Sequence, residues 1–184
     1  DTGPEMVDWF ERETQMKFIH TLYPDYHPDV PGGVDVGRSI LAAPFNTSVL
    51  GENLKRLKSP LSTITFMGMM FNSSNADIKH FFNATKSAKS LGYVTKRMVK
   101  HFSEVARYGK GVQVTSGNAL AARLGKSVFD LKIPLYTETP ADELIVEEGC
   151  VVGVRSGEVT IRARKGVVIA TGGFAHDVEK LKEA

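Results

Sequence analysis

The chain has 184 residues, 42% of them apolar and 24% charged, with 23 Lys and Arg against 21 Asp and Glu. Composition this close to the globular average excludes wholesale disorder, collagen and coiled coil, and a formal charge of +2 gives no electrostatic footprint for nucleic acid. One cysteine, Cys150, permits no internal disulfide and suits a reducing, cytoplasmic setting; no Cys/His spacing fits zinc, and no apolar run nears the roughly 20 residues that span a bilayer.

The first predicted element is a helix from Thr2 to about residue 19. Thr2-Gly3-Pro4-Glu5 matches a capping box, and Met6, Val7, Trp9, Phe10, Met16, Phe18 and Ile19 keep amphipathic spacing. Between residues 20 and 37 the prolines Pro24, Pro28 and Pro31, with Gly32, Gly33 and Gly37, forbid regular structure. That loop carries Tyr23, Tyr26, His20 and His27, and long loops with such groups are often functional. Scattered loop histidines are more often solvated than catalytic, so neither is assigned a role.

Residues 38–42 read as a short extended segment. Asn46 suits the N-cap of a helix through Lys58, weakened by Gly51. Residues 61–71 are apolar and ambiguous between strand and buried helix; Met67, Met69 and Met70 suit a core or an apolar interface. Helical periodicity returns over 75–85 and 90–108. The longer stretch sets Leu91, Val94, Met98, Phe102 and Val105 opposite Lys96, Arg97, Lys100 and Arg107. The basic face has the charge for an anionic membrane surface, but Glu104 interrupts it and a solvated face is the simpler reading.

The last third changes character. Thr115 or Ser116 caps a predicted helix over 117–131, and residues 133–137 read as a strand. Three half-polar β runs follow, at 142–146, 150–155 and 158–164, with turns at 147–149 and 156–157. Cys150 reads as a small packed residue. Residues 167–170 are wholly apolar, the pattern of a strand buried on both faces of a parallel sheet, expected beside residues 133–135. Thr171-Gly172-Gly173 ends it, and a terminal helix starts at His176. This order implies an α/β nucleotide-binding architecture with an antiparallel excursion and without its usual first unit.

The stretch GNALAARLGKSVFDLKIPLYTETPADELIVEEGCVVGVRSGEVTIRARKGVVIATGGF, residues 117–174, resembles one flavoprotein family. Its members are fumarate reductases, soluble succinate-type dehydrogenases and 3-ketosteroid Δ1-dehydrogenases. Upstream, residues 25–33 (DYHPDVPGG), then Gly37-Arg38 and Pro44-Phe45, resemble the ketosteroid branch. The resemblance implies a partial FAD-binding domain: parallel-sheet strands, a three-stranded antiparallel meander and a helical segment. It implies a mainly helical and loop part over 1–112 and the flavin-binding part over 113–184.

The family's N-terminal G-x-G-x-x-G is missing from these residues, so an internal piece of a longer enzyme is expected, inactive and without FAD when isolated.

The same resemblance assigns roles. Thr171, Gly172 and Gly173 would lie against the flavin nucleotide; the plain alternative is a tight strand-to-helix turn. Ala141, within Thr139-Pro140-Ala141, would offer its backbone to the adenine edge. Tyr26, with Tyr23 as second choice, would assist removal of a proton α to a carbonyl while hydride passes to flavin N5. A free phenol titrates near 10 and is a weak base without help, and a packing or surface tyrosine is the alternative. The implied parent is an FAD-dependent oxidoreductase of CH–CH bonds acting on an apolar, steroid-like ketone, completed by the remainder of its own chain. A fumarate reductase or succinate-type enzyme, and a freestanding binding domain without activity, stay open.

Overall fold

A computed structural model describes residues 2–37, 39–71, 75–173, 175 and 177–183. Readings that rest on Arg38, Phe174 and His176 therefore lie outside the described residues. The chain divides into two compact units, residues 1–135 and 136–184. Both mix helices, or extended chain, with small antiparallel sheets.

The first unit opens with helix α1, Thr2–Glu13, which stops six residues before the predicted end. Competing acceptors stop it. Thr14 turns its hydroxyl onto the Phe10 carbonyl, the Gln15 amide donates to Ser127 Oγ at 2.8 Å, and the Phe18 amide donates to Glu11 Oε1 at 2.7 Å. The freed chain becomes strand β1, Phe18–His20, paired antiparallel with β2, Ile40–Ala42. The predicted Pro/Gly loop spans the gap between them.

Strand β3, Phe45–Asn46, leads into a 3₁₀ segment, Thr47–Arg56, where an α-helix was expected. Asn46 is its N-cap as predicted, its side chain accepting from the Ser48 amide. Gly51 sits at φ 55° and ψ −128°, a kink that only glycine adopts cheaply, which is why no continuous helix forms. The ambiguous 61–71 run resolves into a tiny hairpin, β4 (Thr65–Phe66) with β5 (Met69–Met70). Met69 and Met70 are buried, whereas Met67 at the turn is exposed.

Helices α2, Asn75–Phe82, and α3, Ala88–Tyr108, pack together. Gly109 closes α3 in the left-handed region at φ 76°, its amide donating to the Val105 carbonyl. The face that α3 buries differs from the expectation: Ser90, His101 and Glu104 are buried, while Leu91, Val99 and Phe102 are exposed. Arg97, expected on a solvated face, turns inward to Asp77 at 3.1 Å. Ser90, His101 and Glu104 each find a partner that overrides the apolar pattern: His80 Nδ1 for the Ser90 hydroxyl, Met67 O for His101 Nε2 and the Val112 amide for Glu104.

Strand β6, Gln113–Val114, pairs with β3; Thr115 takes the N-cap position of helix α4, Ser116–Asp130, without a side-chain capping bond, because its hydroxyl donates to Phe71 O at 3.0 Å. The core gathers Met16, Ala42, Leu50, Leu54, Met70, Val112, Val114, Ala119 and Ala122.

The second unit holds the predicted meander: β7 (Glu143–Glu147), β8 (Cys150–Ser156) and β9 (Val159–Arg162), in order β7-β8-β9. Glu148-Gly149 and Gly157-Glu158 make its turns. Gly153 is required at its centre, because a Cβ there would lie 2.4 Å from the Ile161 carbonyl oxygen. Cys150 is exposed rather than packed, because it opens β8 directly after a hairpin turn.

Residues 133–137 and 167–170 carry no ladder among the described residues, and Val168 and Ile169 are exposed. A strand borrows its hydrogen bonds from a neighbour. Here the described strands are all paired antiparallel with one another. Helix α5, Val178–Glu183, follows.

Candidate functional site

The loop between β1 and β2 is closed at its root by three residue pairs, Phe18 with Ala42, Ile19 with Leu41 and His20 with Ile40. Above them the Thr21 amide donates to Ser39 O at 2.9 Å. Higher still, the Asp25 amide donates to Val34 O at 3.1 Å, and the Val34 amide returns a bond to Asp25 Oδ2 at 3.2 Å. The tip folds on itself through Gly33 N–H to Val30 O at 2.8 Å. Gly32 takes φ 87°, which glycine supplies without strain.

Tyr23, Pro24, Asp25, Tyr26, Ser39, Ile40 and Leu41 line an open concavity of about 820 Å³ on this loop. Both predicted tyrosines thus border one space. Tyr23 is half exposed and Tyr26 fully so, which leaves its phenol open to a ligand. His20 and His27 are exposed as well and do not line this concavity.

The other predicted residues belong to the second unit. Ala141 is exposed and immediately precedes Asp142, whose amide donates to Arg155 O at 2.8 Å and whose Oδ2 accepts from the Gly157 amide at 2.7 Å. Asp142 thereby fixes the place of Ala141 at the edge of the meander. Thr171, Gly172 and Gly173 are exposed. Gly172 takes φ 80°, and a Cβ on either glycine would meet no atom within 4 Å. The backbone at these two glycines is therefore open, with no packed neighbour against it among the described residues. Among the described residues no cluster of His, Cys, Asp and Glu is arranged to hold a metal ion. Nor is any described helix long and apolar enough to cross a membrane.

Sequence reading missed two polar arrangements. In the first, Tyr93 donates a short hydrogen bond to the fully buried Asp77, which also pairs with Arg97. That hydrogen bond, then burial and the Asp77 charge, raises the Tyr93 phenol above its ordinary value, against the opposing pull of Arg97. His80 stacks on Tyr93 at 4.3 Å between ring centroids. In the second, Arg123 of α4 donates to three backbone carbonyls near the root of the tyrosine loop. A lone arginine on an amphipathic helix carries no motif, so only the geometry reveals it.

The FAD binding domain family matches the chain over residues 1–184. The 4-oxocyclohex-2-ene-1-carboxylate 5-dehydrogenase of Sinomonas cyclohexanicum is 35% identical over 188 residues, covering 100% of this chain and 32% of that protein. The 3-oxosteroid 1-dehydrogenase of Mycolicibacterium smegmatis is 29% identical, covering 96% of this chain and 32% of its own length. Among solved structures, the 3-ketosteroid delta1-dehydrogenase from Sterolibacterium denitrificans, in complex with 1,4-androstadiene-3,17-dione, matches with a TM-score of 0.78 at 25% identity. It covers 98% of this chain and 34% of that one. The chain thus spans about a third of the length of the curated relatives it matches.

Proposed function

This chain belongs to the FAD binding domain family, and on that footing we propose that it is part of an FAD-dependent dehydrogenase that desaturates a CH–CH bond beside a ring ketone. The 3-ketosteroid reading is the one we favour. The observation that carries it is the tyrosine loop: residues 25–33 (DYHPDVPGG) fold into a self-bonded projection that presents Tyr26 in the open, on a concavity it shares with Tyr23. The names of the relatives support the chemistry, since both a 3-oxosteroid 1-dehydrogenase and a 4-oxocyclohexene 5-dehydrogenase act next to a ring carbonyl.

A hydrogen α to a ketone is the acidic one of the pair to be removed; a tyrosinate at hydrogen-bond distance takes it, or a tyrosine relays it by passing its own proton on to a further base. Tyr26 is assigned that proton, with Tyr23 beside it as the second candidate. The backbone of Ala141 would meet the adenine edge, and Thr171, Gly172 and Gly173 would hold the nucleotide through their open amides. FAD, when bound, supplies the hydride acceptor. The apolar walls given by Pro24, Ile40 and Leu41 suit a hydrocarbon ring skeleton. The rest of the pocket would come from the remainder of the protein.

The test is anaerobic mixing of the full-length, FAD-loaded protein with a 3-ketosteroid, a 4-oxocyclohexanecarboxylate and succinate in turn, following loss of oxidised-flavin absorbance. Rapid bleaching by the steroid, with a 1,2-unsaturated product, is expected. Bleaching by the oxocyclohexanecarboxylate alone would keep the reaction class and replace the substrate. Bleaching by succinate alone would overturn the ketone reading.

A further inference from the structure

We propose that Arg123 is a positioning residue for the tyrosine loop, fixing the root from which its two limbs rise; the inference rests on the reading of Tyr26 given above. The β1–β2 ribbon is only three residue pairs long, too short to set its own direction relative to the helices. Chain segments flanking its open end pass over α4, and the Arg123 guanidinium gathers them. Nη1 donates to Gln15 O at 2.8 Å, just before β1. Nε donates to Ala43 O at 3.0 Å and Nη2 to Pro44 O at 2.9 Å, just after β2. The two flanks are also joined directly, by the Ala43 amide on Lys17 O at 2.8 Å.

A planar fork of rigid donors reaches three such carbonyls from three separate nitrogens at fixed spacing, whereas an ammonium carries all its donors on one atom at the end of a flexible stem. The guanidinium also lies over the Phe45 ring, its carbon 4.8 Å from the ring centroid. The helix that carries the fork is itself anchored. Ala119 and Ala122 lie in the core, and Ser127 accepts from the Gln15 amide while donating to Arg123 O at 3.1 Å. Burial lowers the guanidinium from its ordinary value, yet an arginine stays charged at neutral pH, so the three bonds remain charge-assisted. A displacement of about 1 Å at a reacting group costs on the order of 100-fold in rate, which is the scale on which such a root matters.

The experiment is a double-mutant cycle in the full-length, FAD-loaded enzyme, using Arg123→Lys and Tyr26→Phe. Arg123→Lys is expected to lower kcat by roughly 10- to 100-fold with KM and flavin content nearly unchanged. In the Tyr26→Phe background the same change is expected to cost almost nothing, because the group it positions is gone. Equal losses in both backgrounds would overturn the positioning role and leave Tyr26 standing. If Tyr26→Phe alone costs nothing, the reading of Tyr26 fails and this inference falls with it. Hydrogen exchange gives an independent check that survives poor folding of the lysine variant. Phe45→Leu, which removes the ring under the guanidinium, should speed exchange across residues 18–42 and leave α3 unchanged; unaltered exchange in that ribbon would overturn the proposal.

Discussion

A Cβ on Gly33 would lie 2.6 Å from the carbonyl oxygen of His27. The Pro28 carbonyl oxygen would be almost as close, at 2.7 Å, so the obstruction is backbone on two sides and no rotamer relieves it. The tip of the tyrosine loop therefore closes only because residue 33 has no side chain. Gly33→Ala should open the tip at a local cost of about 1–3 kcal/mol, the usual range for forced overpacking. Limited proteolysis would show faster cleavage between residues 21 and 39, with the melting of α3 and α4 little changed. An unaltered cleavage pattern would mean that the tip relaxes without strain.

The pair Asp77–Arg97 joins α2 to α3 with its carboxylate wholly out of solvent. Removing one partner of a buried pair leaves the other charge uncompensated. Asp77→Ala should cost about 3–5 kcal/mol in urea unfolding of the first unit. A loss under about 1 kcal/mol, the range of an exposed pair, would show that the site behaves as surface.

Tyr93 ties the same network to alkaline pH. Its phenol is raised above its ordinary value chiefly by the hydrogen bond it donates to Asp77. The folded state therefore keeps a proton that the unfolded chain releases, and stability falls as pH rises through the window between the two values. The contribution is fully present below about pH 10, the ordinary phenol value, and is lost above it. Unfolding free energies measured across that range should decline less steeply for Tyr93→Phe than for the native protein. Identical slopes would remove Tyr93 from the account.

Residues 1–184 alone contain no G-x-G-x-x-G turn to place a pyrophosphate on a helix N-terminus. Open amides at Gly172 and Gly173 are too few to replace it. Titrating this chain with FAD should leave flavin fluorescence largely unquenched. Tight one-to-one quenching would show that the residues present suffice for the cofactor.

The sequence made some of this structure legible and hid the rest for physical reasons. The meander could be read because the turn glycines Gly149 and Gly157 punctuate runs whose pairing is local. Asn46 could be read as a cap because capping is also local. The end of α1 could not, because Gln15 leaves the helix for Ser127, a residue 112 positions away. Arg97 was misplaced because its charge pattern matched a solvated face, and only the fold brings Asp77 to it. Residues 167–170 have the composition of a buried strand, yet composition does not provide the neighbouring backbone that a ladder needs. Both tyrosines were legible as loop residues. That one concavity is shared between them, and that Arg123 grips the root of their loop, depended on long-range contacts.

The most direct measurement is the steady-state rate of the full-length enzyme on a 3-ketosteroid, compared for native protein, Tyr26→Phe and Tyr23→Phe. Phenylalanine keeps the ring and its packing and deletes the hydroxyl alone. The account predicts that Tyr26→Phe lowers kcat by about 100- to 10,000-fold, with KM and flavin content little changed, as expected when a positioned acid–base group is lost. Near-native turnover by Tyr26→Phe, with the loss falling on Tyr23→Phe instead or on neither, would contradict it.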